Sequence, residues 1–231
     1  MTNLNYQSWI TEVEKNLLNL KTQIDENEIA KSLYGGFYIW DSKYIENPEI
    51  MFIGINPGNG NPNNSGKVVT EIKNQISYME FLDGENPSYR LAIETIKTFE
   101  LAGYSISEIR ELLNEKSIKT NFYYLITKNK NNIRNCVNEL DFYSFNEFRK
   151  QSYTWTCQLI KMMRPKVIIC EGKSVFDDIQ YNFNIVEKSW VSNCGYFISS
   201  TGQIVIGYQR IYSNIVNKAA LSTLIKKFIK K

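Results

Sequence analysis

Apolar residues recur along the chain with two different periods, one typical of helices and the other of buried strands. In the first twenty or so residues they return every three or four positions, as at Trp9, Val13 and Leu17, and this spacing predicts an amphipathic helix. Short continuous apolar runs predict strands that are covered on both faces. These runs are Ile50–Ile53, Val167–Cys170 and Ile204–Gly207.

The segments between these strands predict a fold in which helices alternate with strands. Helices are predicted near 68–81 and 88–102, over Phe145–Met163, after Gly172, and in a closing segment that contains Ile215 and Ile229. β-branched and aromatic residues predict a further strand over Lys119–Ile126. Such alternation implies a parallel sheet with helices on both sides. We therefore predict an α/β protein, a three-layer α/β/α sandwich around a central, mainly parallel four-stranded sheet, in a single domain over residues 1–231.

The composition is that of an ordinary globular protein. Hydrophobic residues make up 43% and charged residues 22% of the chain, which is enough for a sizeable core. No apolar run approaches the roughly 20 residues that cross a bilayer. The first residues lack the basic and apolar segments of a secretion signal. We expect a monomer in the cytoplasm that does not associate with membranes.

Histidine is absent, and the four cysteines are widely spaced. The lack of imidazole excludes His-based catalytic triads, His–metal sites and the zinc deaminase signature. Without a Cys-x-x-Cys pair, a zinc knuckle or a disulfide framework is disfavoured, and we expect small buried thiols in a reducing cytoplasm. Acid–base chemistry is left to Asp, Glu, Tyr, Lys or a water held by Asn. The net charge of +3 permits a phosphate-binding groove but does not require one.

The carboxyl ends of the predicted strands are the expected place for a ligand, because ligands gather there in open parallel sheets. After Ile53 the chain continues as Gly54-Ile55-Asn56-Pro57-Gly58. The glycines allow close backbone approach, and Pro57 fixes the turn directly after Asn56, where a side-chain amide can orient a water. A plain strand-exit turn has the same composition and stays open as an alternative.

Residues 60–67 also suggest a phosphate-binding loop, but their spacing is wrong for one. Five residues separate Gly60 from Gly66 where a P-loop needs four, and Val68 stands where a Mg²⁺-binding Ser or Thr is required. An unrelated phosphate-binding α/β enzyme is therefore the weakest alternative.

The segment Met51–Gly58 resembles the first motif of the uracil-DNA glycosylase superfamily, in the form found in its mismatch-specific branch. In that branch an apolar strand is followed by Gly-Ile-Asn-Pro-Gly, and the Asn positions the attacking water. The resemblance implies that Asn56 is catalytic and that its neighbours bind the substrate. These neighbours are Gly54, Ile55, Pro57 and Gly58.

Two other segments resemble later parts of the same superfamily. Lys119–Tyr123 is similar to the strand on which several branches present an Asn to the Watson–Crick edge of the flipped base. The resemblance implies that Asn121 reads the base, although an ordinary polar residue at a strand end is the other interpretation. Pro165–Lys173 resembles a core strand and the start of the helix after it, and we assign it no chemistry.

The second catalytic motif of the superfamily matches poorly. The family usually has a His-Pro-Ser or Asn-Pro-Ser loop between the last strand and the last helix, whereas this chain has Gly207–Asn214, without His or Pro. By position, Arg210 is the candidate for stabilising the leaving base, and pairing with a carboxylate or a DNA phosphate is the alternative. Ser213 or Asn214 is expected to cap the last helix. The candidates for substrate contact are Tyr208, Ser213 and Asn214, and those for a wedge in the duplex are Tyr208, Ile211 and Tyr212.

The resemblance implies a monofunctional DNA glycosylase that needs no cofactor. It would flip the nucleotide out of single- or double-stranded DNA and hydrolyse the N-glycosidic bond of uracil or another mismatched or modified pyrimidine. An aromatic residue is expected to stack on the base, and Tyr78, Phe81 and Tyr89 follow the first motif. Base-excision repair and defence against modified phage DNA would use the same chemistry. The alternative is a catalytically inactive or altered glycosylase-fold module that binds modified DNA or nucleotides.

Overall fold

The computed structural model describes residues 5–40, 42–57, 68–69, 75–141, 144–181 and 183–230. The chain divides into two compact units. Unit 1 comprises Met1–Trp40, Ile55–Glu71 and Asn121–Met163, and unit 2 comprises Asp41–Gly54, Ile72–Thr120 and Arg164–Lys231.

Helices and short strands follow one another along most of the described chain. The helices are α1 (Tyr6–Asp25), α2 (Glu28–Leu33), α3 (Tyr78–Leu82), α4 (Arg90–Leu101), α5 (Ile106–Lys116), α6 (Lys130–Asn138), α7 (Phe145–Met163), α8 (Lys173–Gln180) and α9 (Lys218–Phe228). The strands are β1 (Phe37–Tyr38), β2 (Ile50–Gly54), β3 (Val68–Val69), β4 (Ser117–Asn121), β5 (Val167–Cys170), β6 (Ile185–Val191), β7 (Cys194–Ser199), β8 (Ile204–Tyr208), β9 (Arg210–Ile211) and β10 (Asn214–Ile215).

A central, mainly parallel sheet confirms the prediction of an α/β protein. Among the described residues it has six strands in the order β4-β2-β5-β8-β7-β6, whereas four were expected. Strands β2, β5 and β8 run parallel, and β7 and β6 continue the sheet antiparallel. The two additional strands are β6 and β7. Four of the seven residues of β6 are exposed, and β6 has no continuous apolar run that would mark it as a strand.

Helices cover both faces of this sheet in unit 2. Alternate residues of a strand point to opposite faces. Ile206 of β8 belongs to the core formed with α4, α5 and α9. The next residue, Gly207, lies under the Phe176 ring of α8, so close that a Cβ there would be 2.4 Å from the ring. The sequences of the three predicted strands are continuous apolar runs because both faces of each strand are buried.

Two predicted segments were wrong in part. The expected helix over 68–81 is a strand at Val68–Val69 and a short helix, α3, from Tyr78; residues 70–74 lie outside the described chain. The expected strand over Lys119–Ile126 ends at Asn121. Beyond it, the backbone of unit 1 pairs with a different segment, since Tyr38 N–H donates to Tyr124 O at 2.8 Å and Ile126 N–H donates to Gly36 O at 2.8 Å.

The last helix begins later than predicted. Its N-cap is Asn217, whose side chain accepts a hydrogen bond from Ala220 N–H at 3.0 Å, so the prediction that Ser213 or Asn214 caps it was wrong. Ile215 lies in β10 rather than on the helix, and it pairs with Arg210 across a short hairpin. The helices predicted over Phe145–Met163 and after Gly172 are confirmed as α7 and α8.

The interior of unit 1 is rich in aromatic side chains. The rings of Trp9 and Tyr124 meet edge to face at 6.5 Å, and Tyr124 stacks on Trp155 at 5.9 Å. These contacts hold α1 and α7 against the segment that follows β4. Within the described chain, no helix is both long enough and apolar enough to span a membrane.

Candidate functional site

Asn56 is fixed by three hydrogen bonds within unit 1. It lies two residues beyond the end of β2, and its amide nitrogen Nδ2 donates to Thr127 O at 2.9 Å, to Thr127 Oγ1 at 3.3 Å and to Pro57 O at 3.0 Å. Thr127 is fully buried, and its Oγ1 donates in turn to Asn129 O at 2.8 Å. Because Nδ2 is directed at these oxygens, the amide oxygen Oδ1 points away from them.

The neighbours of Asn56 in the first motif form a turn that accepts a backbone hydrogen bond from the segment after β4. Ile55 O accepts a hydrogen bond from Tyr123 N–H at 2.9 Å. Pro57 is half-buried, while Gly54 is the buried last residue of β2. Gly58 lies outside the described residues. Asn121, the predicted base reader, is the last residue of β4 and is buried.

The second motif lies in unit 2, where Tyr208 ends β8 and Arg210 opens β9. Arg210 is half-exposed and packs on Gly172, with its Nε 3.5 Å from the point that a Cβ of Gly172 would occupy. Gly172 has a φ of +139°, which only glycine adopts readily. Ser213 lies half-buried in the turn after β9, and the exposed Asn214 accepts a hydrogen bond from Arg90 Nε at 2.9 Å.

The wedge candidates separate clearly by exposure. Tyr208 is 2% exposed, so the expectation that it could wedge into a duplex was wrong. Tyr212 is 91% exposed and Ile211 is 58% exposed at the tip of the hairpin formed by β9 and β10. Tyr212 also has a φ of +54°, a conformation that is uncommon for a bulky residue.

A buried charged cluster at the carboxyl ends of the strands of unit 2 was not predicted. This strand-end cluster consists of Lys119, Glu171, Tyr78, Tyr89 and Tyr208. Lys119 Nζ lies 3.4 Å from Glu171 Oε2 and 4.2 Å from the centre of the Tyr78 ring. It also donates to the Tyr89 hydroxyl at 3.3 Å. The side chains of Lys119 and Glu171 are only 5% and 2% exposed.

The electrostatic field of the cluster acts on Tyr208. Burial raises the pKa of the Tyr208 phenol well above its ordinary value, the negative charge of Glu171 raises it further, and Arg210 partly opposes the shift. The phenol therefore stays protonated at neutral pH. In the described parts of both units, no group of three Cys, Asp or Glu side chains is placed to hold a metal ion.

A sequence signal for this cluster did exist. Lys119 lies within a predicted strand, and Glu171 directly follows the apolar run of β5. A charge in or at the end of a fully buried strand is unusual, because burying it is costly unless it is paired. The partner was not evident, since the two residues are far apart in the sequence and are brought together by the strand order β4-β2-β5.

The predicted site residues fall into two groups, one in each unit. In unit 1, Asn56 is joined with Ile55 and Pro57 in one fixed turn. In unit 2, Tyr208 belongs to the strand-end cluster and the charge of Arg210 acts on it, whereas Asn214 contacts Arg90. No protein-family model matches the chain, and no curated protein matches it either.

Proposed function

We propose that the protein is a DNA glycosylase that hydrolyses the N-glycosidic bond of uracil or of another mismatched or modified pyrimidine. The observation that supports this proposal is the fixed amide of Asn56, which follows a buried parallel strand. A preorganised acceptor costs no reorganisation when the reaction occurs. Its oxygen Oδ1 would accept a hydrogen bond from a water and so place that water for attack at C1′.

The reaction would depend mainly on the departure of the base. An amide is a poor general base, so Asn56 orients the water without removing its proton in advance. The sugar acquires oxocarbenium character as the bond to the base breaks, as in other glycoside cleavages. Backbone N–H groups near Ile55 would favour the departing anion, and Asn121 would read the base edge.

The exposed hairpin tip supports DNA as the partner. A base must leave the stack before the enzyme can act on it, at a cost of a few kcal/mol. Tyr212 would fill the gap that the flipped nucleotide leaves, since it is exposed and is carried on a short hairpin. On this proposal the α/β fold is of the uracil-DNA-glycosylase type, and the protein acts as a monomer without cofactor in base excision.

An abasic-site assay tests the proposal. Single- and double-stranded oligonucleotides that carry uracil, mismatched thymine or modified cytosines are incubated with the protein, and abasic sites are then cleaved with alkali. We expect strand scission on one of these substrates, and a loss of about a hundredfold in single-turnover rate for Asn56→Ala. The matched control is Asn16→Ala, on the exposed face of α1, which should leave the rate unchanged.

The alternative predicts a different result in the same assay. A module that only binds modified DNA would give salt-sensitive binding and no abasic product on any substrate. The unusual second motif, which lacks His and Pro, is the feature that favours this alternative. Absence of both binding and product at low salt would contradict both functions.

A further inference from the structure

We propose that Arg90 and the outward face of the β9–β10 hairpin form a DNA-contact surface, on which Arg90 binds a backbone phosphate. The phosphate would lie beside the nucleotide that Tyr212 displaces. This inference rests on the proposed glycosylase function and adds the contact that positions the wedge on the duplex. Arg90 and the whole hairpin belong to unit 2. The evidence is the exposure of the hairpin tip, the face on which Arg90 lies and the way its guanidinium is held.

The tip of the hairpin presents apolar surface that the stability of the fold does not explain. Tyr212 and Ile211 are exposed next to each other, and Val216, just beyond β10, is also exposed. Single exposed apolar residues are common, whereas adjoining ones form a patch, and such patches mark interaction sites. The positive φ of Tyr212 adds backbone strain, which is more typical of functional positions than of plain turns.

Arg90 lies on the same face of the hairpin as Ile211. Between β9 and β10, Ile211 pairs with Asn214, and Arg210 pairs with Ile215. The side chains of paired residues project to one face, and those of the neighbouring pair project to the opposite face. Because Ile215 is buried, the pair of Ile211 and Asn214 faces outward. Arg90 donates a hydrogen bond to the Asn214 side chain, so the outward face combines an apolar group with a cation.

The guanidinium of Arg90 is oriented without being neutralised. Its Nε donates to the amide oxygen Oδ1 of Asn214 at 2.9 Å, which leaves the two terminal nitrogens for another acceptor. An amide carries no charge, and within the described part of unit 2 no carboxylate forms an ion pair with Arg90. Several other surface cations of this unit are compensated by carboxylates. These ion pairs are Arg110–Asp83, Lys166–Glu49 and Lys173–Asp177.

The position of Arg90 in α4 is unfavourable for the helix itself. Arg90 is the first residue of α4, the first turn has no acidic residue, and Tyr89 at the N-cap provides no side-chain cap. The positive end of the helix dipole repels a cation in the first turn, so Arg90 does not stabilise the helix. The same dipole attracts an anion that binds Arg90. The placement therefore suits an anionic partner better than it suits the free protein.

The backbone of DNA matches this combination of an apolar tip and an oriented cation. About half or more of the hydrogen bonds between proteins and DNA go to the backbone, and Arg can bind a phosphate through two parallel hydrogen bonds. Asn214 is two residues from Tyr212, which is about 7 Å along a strand, or about two base steps. A phosphate bound to Arg90 would therefore lie close to the nucleotide whose place Tyr212 takes.

The salt dependence of binding tests the inference. Fluorescence anisotropy measures the affinity of the protein for a labelled duplex that contains a stable abasic-site analogue, at several KCl concentrations. Arg90→Gln should weaken binding about tenfold and lower the slope of log affinity against log salt by about 1, because one phosphate contact is lost. Asn214→Asp should lower the slope similarly, since its carboxylate keeps the hydrogen bond but neutralises Arg90. Arg164→Gln, at the exposed residue two positions before Lys166, is the matched control and should leave the slope unchanged.

Each outcome separates this inference from the proposed function. An unchanged slope for Arg90→Gln overturns the inference, while the abasic-site assay still decides the glycosylase function. A wild-type protein that does not bind the duplex at low salt overturns the inference, and the function falls with it only if no abasic product forms. If Arg90→Gln does not fold, as judged by circular dichroism, an unchanged slope for Asn214→Asp overturns the inference. Sedimentation as a dimer that Ile211→Asp dissociates would assign this surface to a second copy of the chain and also overturn it.

Discussion

Single side chains carry the candidate chemistry, and Asn56 shows how much one neighbour contributes to its orientation. Thr127 Oγ1 accepts a hydrogen bond from Asn56 Nδ2 and donates one to Asn129 O. Thr127→Val removes both hydrogen bonds and leaves the Asn56 amide with backbone acceptors alone. We expect a several-fold slower glycosylase rate and a free energy of unfolding lower by about 1–2 kcal/mol.

Thr127→Ser is the matched control, because it keeps the hydroxyl. Abasic-site kinetics and urea denaturation of the two variants check the prediction. A Thr127→Val protein that loses stability but retains the full rate would show that Thr127 supports the turn without orienting Asn56.

The sequence could predict those parts of the site that depend on residues adjacent in the chain, and it could not predict those that depend on distant ones. The Asn56 turn was found because Gly54, Asn56 and Pro57 are adjacent and each has a local conformational reason to be there. The cluster of Lys119 and Glu171 was missed because strand order is not a local property, and only strand order brings these residues together. The catalytic role of Asn56 stays a prediction.

The hairpin of β9 and β10 is held at its base by α4 and α9. Glu94 of α4 accepts hydrogen bonds from Ile215 N–H at 3.2 Å and from Lys218 Nζ at 2.7 Å. Burial of Glu94 opposes its ionisation, but the hydrogen bonds from Lys218 and Ile215 outweigh this effect and lower its pKa below the ordinary 4.5. The ionised carboxylate therefore stabilises the folded hairpin.

The pH dependence of stability follows from the direction of this shift. A carboxyl group whose pKa is lowered by folding stabilises the protein above its unfolded-state pKa, and the effect is lost as pH falls through the folded-state pKa. Glu94→Gln should lower the free energy of unfolding at pH 7 by about 1–3 kcal/mol. The difference from wild type should shrink as the pH falls below 4.5, the ordinary value.

Urea denaturation between pH 7 and pH 3 measures this difference. Glu100→Gln, at an exposed position of the same helix, is the control and should follow the wild-type curve. A difference between Glu94→Gln and wild type that does not change with pH would contradict the assignment of an ionised Glu94.

Tyr212 lies at the tip of the same hairpin, in a strained conformation. Its φ of +54° is unfavourable for a tyrosine, whereas Asn adopts this region more readily. Tyr212→Asn should therefore leave stability unchanged or raise it by up to about 1 kcal/mol. If Tyr212 fills the gap in the duplex, the same variant should lose activity on double-stranded DNA and retain it on single strands, where no stack must be filled. Equal activity on both substrates would argue against the wedge.

Secondary structure was predictable where burial is one-sided along a helix or complete along a strand. β2, β5, β8 and α7 have continuous or strongly periodic apolar patterns, and all were predicted. Strand β6 was not predicted, because its pattern is mostly polar, and α3 was predicted only as the end of a longer helix near 68–81. Residues 122–126 look like the continuation of β4 but pair with Gly36 and Tyr38 in unit 1, a choice that propensity cannot reveal.

The molecule as a whole divides into two compact units, whereas the sequence shows no linker that would predict such a division. Each unit takes its residues from several separate stretches of the chain. Composition and length bear on the number of residues in a core, not on how contacts are distributed between stretches. The expectation of a single domain stays a prediction that unfolding experiments on the full chain can address.

The cysteines report on the two units separately. Cys136 is buried in unit 1, and Cys170 and Cys194 are buried in unit 2. Burial raises the pKa of Cys136 to about 12 and that of Cys194 to about 11, and it raises the pKa of Cys170 further still. Since only the thiolate is nucleophilic, at pH 8 about a thousandth or less of each of these thiols is reactive in the native state.

We therefore expect a thiol-specific reagent to modify these three cysteines only as the surrounding unit unfolds. Brief labelling at increasing urea, followed by mass spectrometry of the peptides, gives one unfolding curve from Cys136 and another from Cys170. Coincident midpoints would show that the chain unfolds as one cooperative domain, and separated midpoints would show that the units unfold independently. Rapid labelling of Cys170 without denaturant would contradict the burial of β5. Glu171 of the strand-end cluster directly follows this strand.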